Sequence, residues 1–238
     1  MSRSRVKFLR FLGNIVICAT VVAVVALSIN AGEQKVSAPS RQPIYSGKSA
    51  TKVSLMVNVY WGTDYIAPML DTFERYNCKT TFFVGGSWVD ANPETLKQIA
   101  DKGHEIGNHG YYHKDHKKLD AAYNRKEITS AHDAVKSVLG IDMNLFAPPS
   151  GSFGDITLEV AEELGYRSVM WTRDTIDWRD HDTALIYKRA VKDIKGGDLI
   201  LMHPTDCTAK ALESILQAVT ASGLSVAPVS EVLESDIV

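Results

Sequence analysis

The chain has 238 residues, 45% of them hydrophobic and 23% charged, and a formal net charge of −2. That composition excludes a wholly disordered or fibrous protein. The lack of a net basic field excludes nucleic acid as an electrostatically bound partner.

The charge is unevenly placed. Arg3, Arg5, Lys7 and Arg10 give the first ten residues +4, and residues 11–29 then run without a single charge. At about 1.5 Å per residue, such a helix matches a hydrocarbon core of roughly 30 Å. The basic flank orients the N-terminus to the cytoplasm and everything after the span beyond the membrane. Residues 1–30 are therefore expected to be a basic tip and a single-pass anchor in the cell membrane. Secretion after signal-peptide cleavage is the alternative, because Ala26 and Ala31 place small residues near the end of the run. Residues 31–50, rich in Ser, Pro, Ala and Gly, read as a flexible linker. Residues 51–238 are then the working domain.

Within that domain short apolar runs alternate with helical periodicity. Runs at residues 53–59, 80–86, 144–147, 168–172, 198–202 and 225–229 read as strands. Helices are expected at residues 93–102, between Pro93 and Gly103, at residues 128–139 before Gly140, and at residues 208–222 before Gly223. Six or seven strand–helix–strand units imply an α/β domain with a parallel sheet, open or closed into a barrel.

In such folds the working groups collect at the C-terminal ends of the strands. Those ends carry HEIGNHGYYHKDH, FAPPSGSF, TRDTIDWRD and LMHPTD. His109 and His113 would share one side of a helical turn. His116 and Asp115 follow closely. A catalytic metal needs a third protein ligand, which this spacing does not supply. His104 and His132 read as solvated or helix-face residues, and Asp142 and Asp155 as turn and N-cap residues.

Taken in order, GHEIGNHGYYH, FAPPSG, DTIDW and LILMH, with TTFFVGG before them, resemble the polysaccharide deacetylase family, the NodB-homology or carbohydrate esterase family four domain. The box VNVYWG is similar to a divergent, sporulation-type branch. The resemblance covers residues 52–235. It implies a distorted (β/α) barrel of about seven parallel strands, a divalent metal (zinc or cobalt), and a hydrolase acting on the acetyl groups of cell-wall polysaccharide such as peptidoglycan or a chitin-like glycan.

Mapped onto the family's motifs, the chain departs from them at decisive positions. Asn58 stands at the place of the base aspartate and Val59 at that of the third metal ligand, with Asp64 a candidate substitute. The metal histidines match as His109 and His113, but Gly110 replaces the usual Ser or Thr. The third motif keeps Pro149 and Gly151 while Ala147 replaces its arginine, leaving Asp177 to pair with Arg173 or Arg179. Asp177 and Trp178 match the fourth motif. Leu201 and His203 match the fifth, His203 being the general acid. The resemblance places Trp61, Tyr112, Pro149, Gly151, Trp178 and Leu201 along the substrate groove. An amide cannot take a proton, and loss of a base typically costs about 10²- to 10⁴-fold. Two readings follow: a deacetylase with impaired activity, or a catalytically silent relative that binds glycan or a partner on the cell surface.

Cys78 precedes one strand and Cys207 follows another, at opposite ends of a parallel sheet. About 17–20 Å apart, they are expected to be free thiols.

Overall fold

The computed structural model describes residues 41–236. The expected anchor and the first part of the linker lie outside the described residues. Residues 41–50, assigned to the linker from composition, belong to the body instead. Ile44 bridges Val169, the Gly47 amide donates to Gly197 O at 2.8 Å, and Ser49 is buried with its hydroxyl on Asp236.

Eight strands form one sheet: β1 (Lys52–Val59), β2 (Thr81–Val84), β3 (Glu105–Asn108), β4 (Leu145–Phe146), β5 (Arg167–Ser168), β6 (Arg173–Asp174), β7 (Leu199–Met202) and β8 (Ser225–Val226). Seven follow the order β5-β4-β3-β2-β1-β7-β6, β8 pairs with β1, and every pairing is parallel. β5 and β6 end the path without pairing to each other, so the barrel is incomplete.

The helices are α1 (Ile66–Arg75), α2 (Gly86–Ala91), α3 (Pro93–Asp101), α4 (Ala121–Leu139), α5 (Asp155–Glu163), α6 (Asp177–Asp180), α7 (Thr183–Val191), α8 (Asp206–Ala221) and α9 (Val229–Leu233). Their ends follow local chemistry. Asp120 caps α4 by accepting from the Tyr123 amide, and Gly140 closes it at φ 68°. Thr205 caps α8 by accepting from the Thr208 amide. The cap of α5 is Gly154, with Asp155 its first helical residue.

Alternation along β1 separates two apolar layers. Val53, Leu55, Val57 and Val59 join the larger cluster, with Ile66, Phe73 and Ile200. Met56 joins the smaller one with Phe83, Leu145 and Leu199. Asn58 is in register with Phe83 and shares Met56's side of the strand. Among the described residues Cys78 and Cys207 are unbonded thiols. His104 is not solvated: it lies buried with its ring centroid 5.2 Å from those of both Phe73 and Phe82.

Candidate active-site cleft

The C-terminal ends of the strands surround a cleft of about 390 Å³. Asn58 reaches it from the end of β1, His109 from the residue after β3, and Asp174 from β6. His203 follows β7 directly, and Leu201 lies within that strand. Trp61, Trp171, Trp178, His113 and Ser150 complete the lining.

His109 is buried and its Nδ1 donates to Ala147 O at 2.7 Å, so a neutral ring keeps the Nε2 lone pair. Burial pushes its pKa well below the ordinary histidine value, and neighbouring His113 adds to that. Burial lowers His113 as well. The two do not share a helical turn, because residues 109–115 are irregular. The rings meet at a centroid distance of 5.0 Å because His113 takes a left-handed backbone, φ 53°. For a non-glycine residue that conformation costs on the order of 1–3 kcal/mol and is typical of functional sites. Ser150, at φ 54°, is a second such residue on the cleft wall.

Beneath the cleft, His203 is hydrogen-bonded to the buried Asp177. His203 Nδ1 donates to Asp177 Oδ1 at 2.8 Å, while the His203 amide and the Thr208 hydroxyl donate to Oδ2, each at 2.6 Å. Burial would raise the Asp177 carboxyl, but the bonds from His203 and Thr208 outweigh it and hold the group below its usual range. The expected arginine partners are engaged elsewhere: Arg173 with Asp198 at 2.9 Å, Arg179 with Asp180 at 2.6 Å. Asp177 lies beneath the cleft and orients His203 rather than lining the wall.

The donor set does not fit a three-ligand metal site. His109 and His113 are close enough to face one ion, yet among the described residues no group of three His, Cys, Asp or Glu side chains could hold one. Val59 is fully buried in the outer apolar layer, across the strand from Asn58. Asp64 is exposed on the loop before α1 and supplies no third ligand. His116 Nδ1 donates to Asn124 Oδ1 at 2.7 Å, since the Asn124 amide group is committed to three carbonyls. Its Nε2 is buried without a partner among the described residues. Asp115 is held by Lys118 at 2.8 Å and by the Ser152 hydroxyl.

A Cβ built on Gly110, at φ +69°, would stand 3.0 Å from His116 Nε2 and 3.3 Å from Pro149 Cγ. The buried imidazole takes the space that a side chain at 110 would need. Asn58, only 4% exposed, has its Oδ1 without a hydrogen-bond partner among the described residues.

Of the expected groove residues, Trp61, Trp178 and Leu201 line the cleft. Tyr112 is exposed outside it, with Lys114 Nζ 5.9 Å from its ring centroid. Pro149 is buried, and Gly151 backs onto Trp171, 2.8 Å from where its Cβ would lie. Trp171, Asp174 and Ser150 line the cleft unforeseen; the strand expected at 168–172 carried the signal for Trp171. The Trp61 indole stacks on His203, centroids 5.8 Å apart and 12° between planes.

A family model described as polysaccharide deacetylase matches residues 46–169. The chain is 37% identical to the Bacillus subtilis protein YlxY, over 81% of this chain and 61% of that one. It is 33% identical to the peptidoglycan-N-acetylglucosamine deacetylase of Bacillus cereus, over 71% of this chain and 82% of that one. A CE4 family pseudoenzyme from Bacillus anthracis has a similar structure, with TM-score 0.80 and 33% identity over 84% of this chain and 72% of that one. A mutant of that pseudoenzyme with restored enzymatic activity gives TM-score 0.80 and 31% identity, over 84% and 74%. The chain spans only 61% of YlxY and 34% of the Listeria monocytogenes deacetylase PgdA. The fold, the cleft and these likenesses agree: the chain belongs to the polysaccharide deacetylase family.

Proposed function

We propose that the chain is a cell-surface, glycan-binding member of its family in which deacetylation is lost or severely weakened. One observation carries this reading: the position given to the base holds Asn58, a neutral carboxamide whose buried Oδ1 has no partner among the described residues. Amide hydrolysis needs a group to take the proton of the attacking water, and without it the rate falls by about 10²- to 10⁴-fold. The zinc or cobalt ion implied for the family would supply Lewis-acid chemistry, but two histidines are half of such a site.

What this chain's own residues do is bind and orient. Trp61 and Trp178, 49% and 50% exposed, offer apolar faces for sugar rings. His203, fixed by Asp177, keeps Nε2 for a sugar hydroxyl. Peptidoglycan is the proposed ligand, supported by the Bacillus cereus relative whose name carries that substrate. Residues 11–29 are proposed to hold the domain at the outer membrane face, on the strength of the +4 flank.

A residual deacetylase, acting on the carbon–nitrogen bond of an acetamido group, is the second reading. The intact His203–Asp177 pair favours it, because that pair is the acid half of the machinery. Co-sedimentation of the full chain with purified peptidoglycan tests the first. Retention that falls in Trp178→Ala supports it, and a chain that stays in the supernatant contradicts it.

A further inference from the structure

Among the described residues, two acceptors of the cleft have hydrogen-bonding capacity to spare, beside the donors of Ser150 and the three indoles. Asn58 Oδ1 is buried and unpartnered. Asp174 Oδ1 accepts from the Ile176 amide at 2.8 Å, and among the described residues no group hydrogen-bonds its Oδ2. His109 commits Nδ1 to an acceptor, which leaves Nε2 of the neutral ring as a lone pair, and His203 commits its Nδ1 to Asp177. Among the described residues no lysine or arginine lines the cleft, and three indoles do. Arg179, the cation whose charge reaches Asp174, is bonded to Asp180.

An anionic ligand would find no countercharge here. Acetylation of an amine removes its positive charge and leaves it a single N–H donor. A primary ammonium brings three donors and a positive charge, which suit an orphan amide oxygen, a carboxylate and indole faces.

We propose that the cleft recognises the protonated amino group of a de-N-acetylated hexosamine unit, with Asn58 Oδ1 and the Asp174 carboxylate as its acceptors. The inference rests on the glycan-binding reading and narrows it: the ligand is the amine-bearing glycan, and the chain reads what deacetylation leaves behind. The swap of a carboxylate for a carboxamide at 58 then has a positive consequence, because it places a fixed acceptor where the family works with a titrating one.

Calorimetry of the full chain in detergent, with chelator present, tests this. The probes are a glucosamine oligosaccharide and its fully N-acetylated counterpart of equal length. The glucosamine oligomer is expected to bind about ten- to a hundredfold more tightly, the worth of one charge-assisted hydrogen bond. Asp174→Asn and Asn58→Leu should each erase most of that preference. Equal or tighter binding of the acetylated oligomer overturns the inference while sparing the glycan-binding reading. No binding of either oligomer overturns both. A preference for glucosamine that survives Asp174→Asn and Asn58→Leu reports attraction to the acidic surface, and also overturns the assignment.

Discussion

His203 Nδ1 lies 2.8 Å from Asp177 Oδ1, and the carboxylate that receives it is wholly buried. Asp177 also accepts from the amides of Trp178 and His203 and from the Thr208 hydroxyl. One side chain thus ties the end of β7 to α6 and to the first turn of α8. Removing one partner of a buried charged pair costs about 3–5 kcal/mol. Asp177→Ala is expected to lose that much, read as a lowered urea midpoint at unchanged slope. Thr208→Val, which removes one hydrogen bond, should lose about 1–2 kcal/mol. An Asp177→Ala chain as stable as the parent would contradict the role.

Acid stability follows from His104. Burial, with a smaller push from Lys79, lowers its pKa to about 4. The ring accepts from the Thr80 amide and stays neutral in the fold, while the unfolded chain takes up a proton near the ordinary value of about 6.5. The unfolded state binds more protons between these values, so stability falls as pH drops from about 6.5 to about 4. His104→Gln should flatten that slope in a series of melting temperatures. An unchanged slope would show that other groups carry it; burial shifts His109, His113 and His116 in the same direction.

Strand ends and the His109, His113 and His203 positions were legible because each apolar run ended in a cluster of chemistry-bearing residues. β3 and β6 were not read as strands. Their sequences, EIGN and RD, are short and polar, and their edges are satisfied by neighbours distant in sequence. The partner of Asp177 was misjudged for a related reason. Arg173 and Arg179 are near in sequence, but His203 is brought beside Asp177 by the β6–β7 pairing. The isolation of Val59 from the cleft is a matter of strand alternation, and a motif alignment alone does not show which face a residue takes.

Gly110 and His116 form a second relationship open to test. Gly110→Ala puts a Cβ 3.0 Å from His116 Nε2 on a backbone at φ +69°. The left-handed conformation alone costs about 1–2 kcal/mol for a residue with a Cβ. Gly110→Ala is expected to lose at least this much in denaturant titration. A neutral effect would mean that the loop relaxes and that the imidazole does not fill the site.

Metal binding should follow the carboxylate. Val59 faces the apolar layer, so a carboxylate that joins His109 and His113 has to come from the cleft side of β1, and Asn58→Asp places one there. Equilibrium dialysis against zinc is expected to show about one equivalent bound by Asn58→Asp, lost in the double variant with His113→Ala, and none held by the parent after chelation. Tight stoichiometric zinc in the parent would contradict the incomplete ligand set.

Acetate release tests the central claim most directly. The full chain, with zinc or cobalt added, is assayed on N-acetylated peptidoglycan beside the Bacillus cereus deacetylase. On the proposed reading that Asn58 replaces the base, the chain is predicted to release acetate at least about 10²- to 10⁴-fold more slowly than that enzyme. A rate equal to the enzyme's, abolished by His203→Ala, would show that the cleft is a working deacetylase and that Asn58 does not silence it.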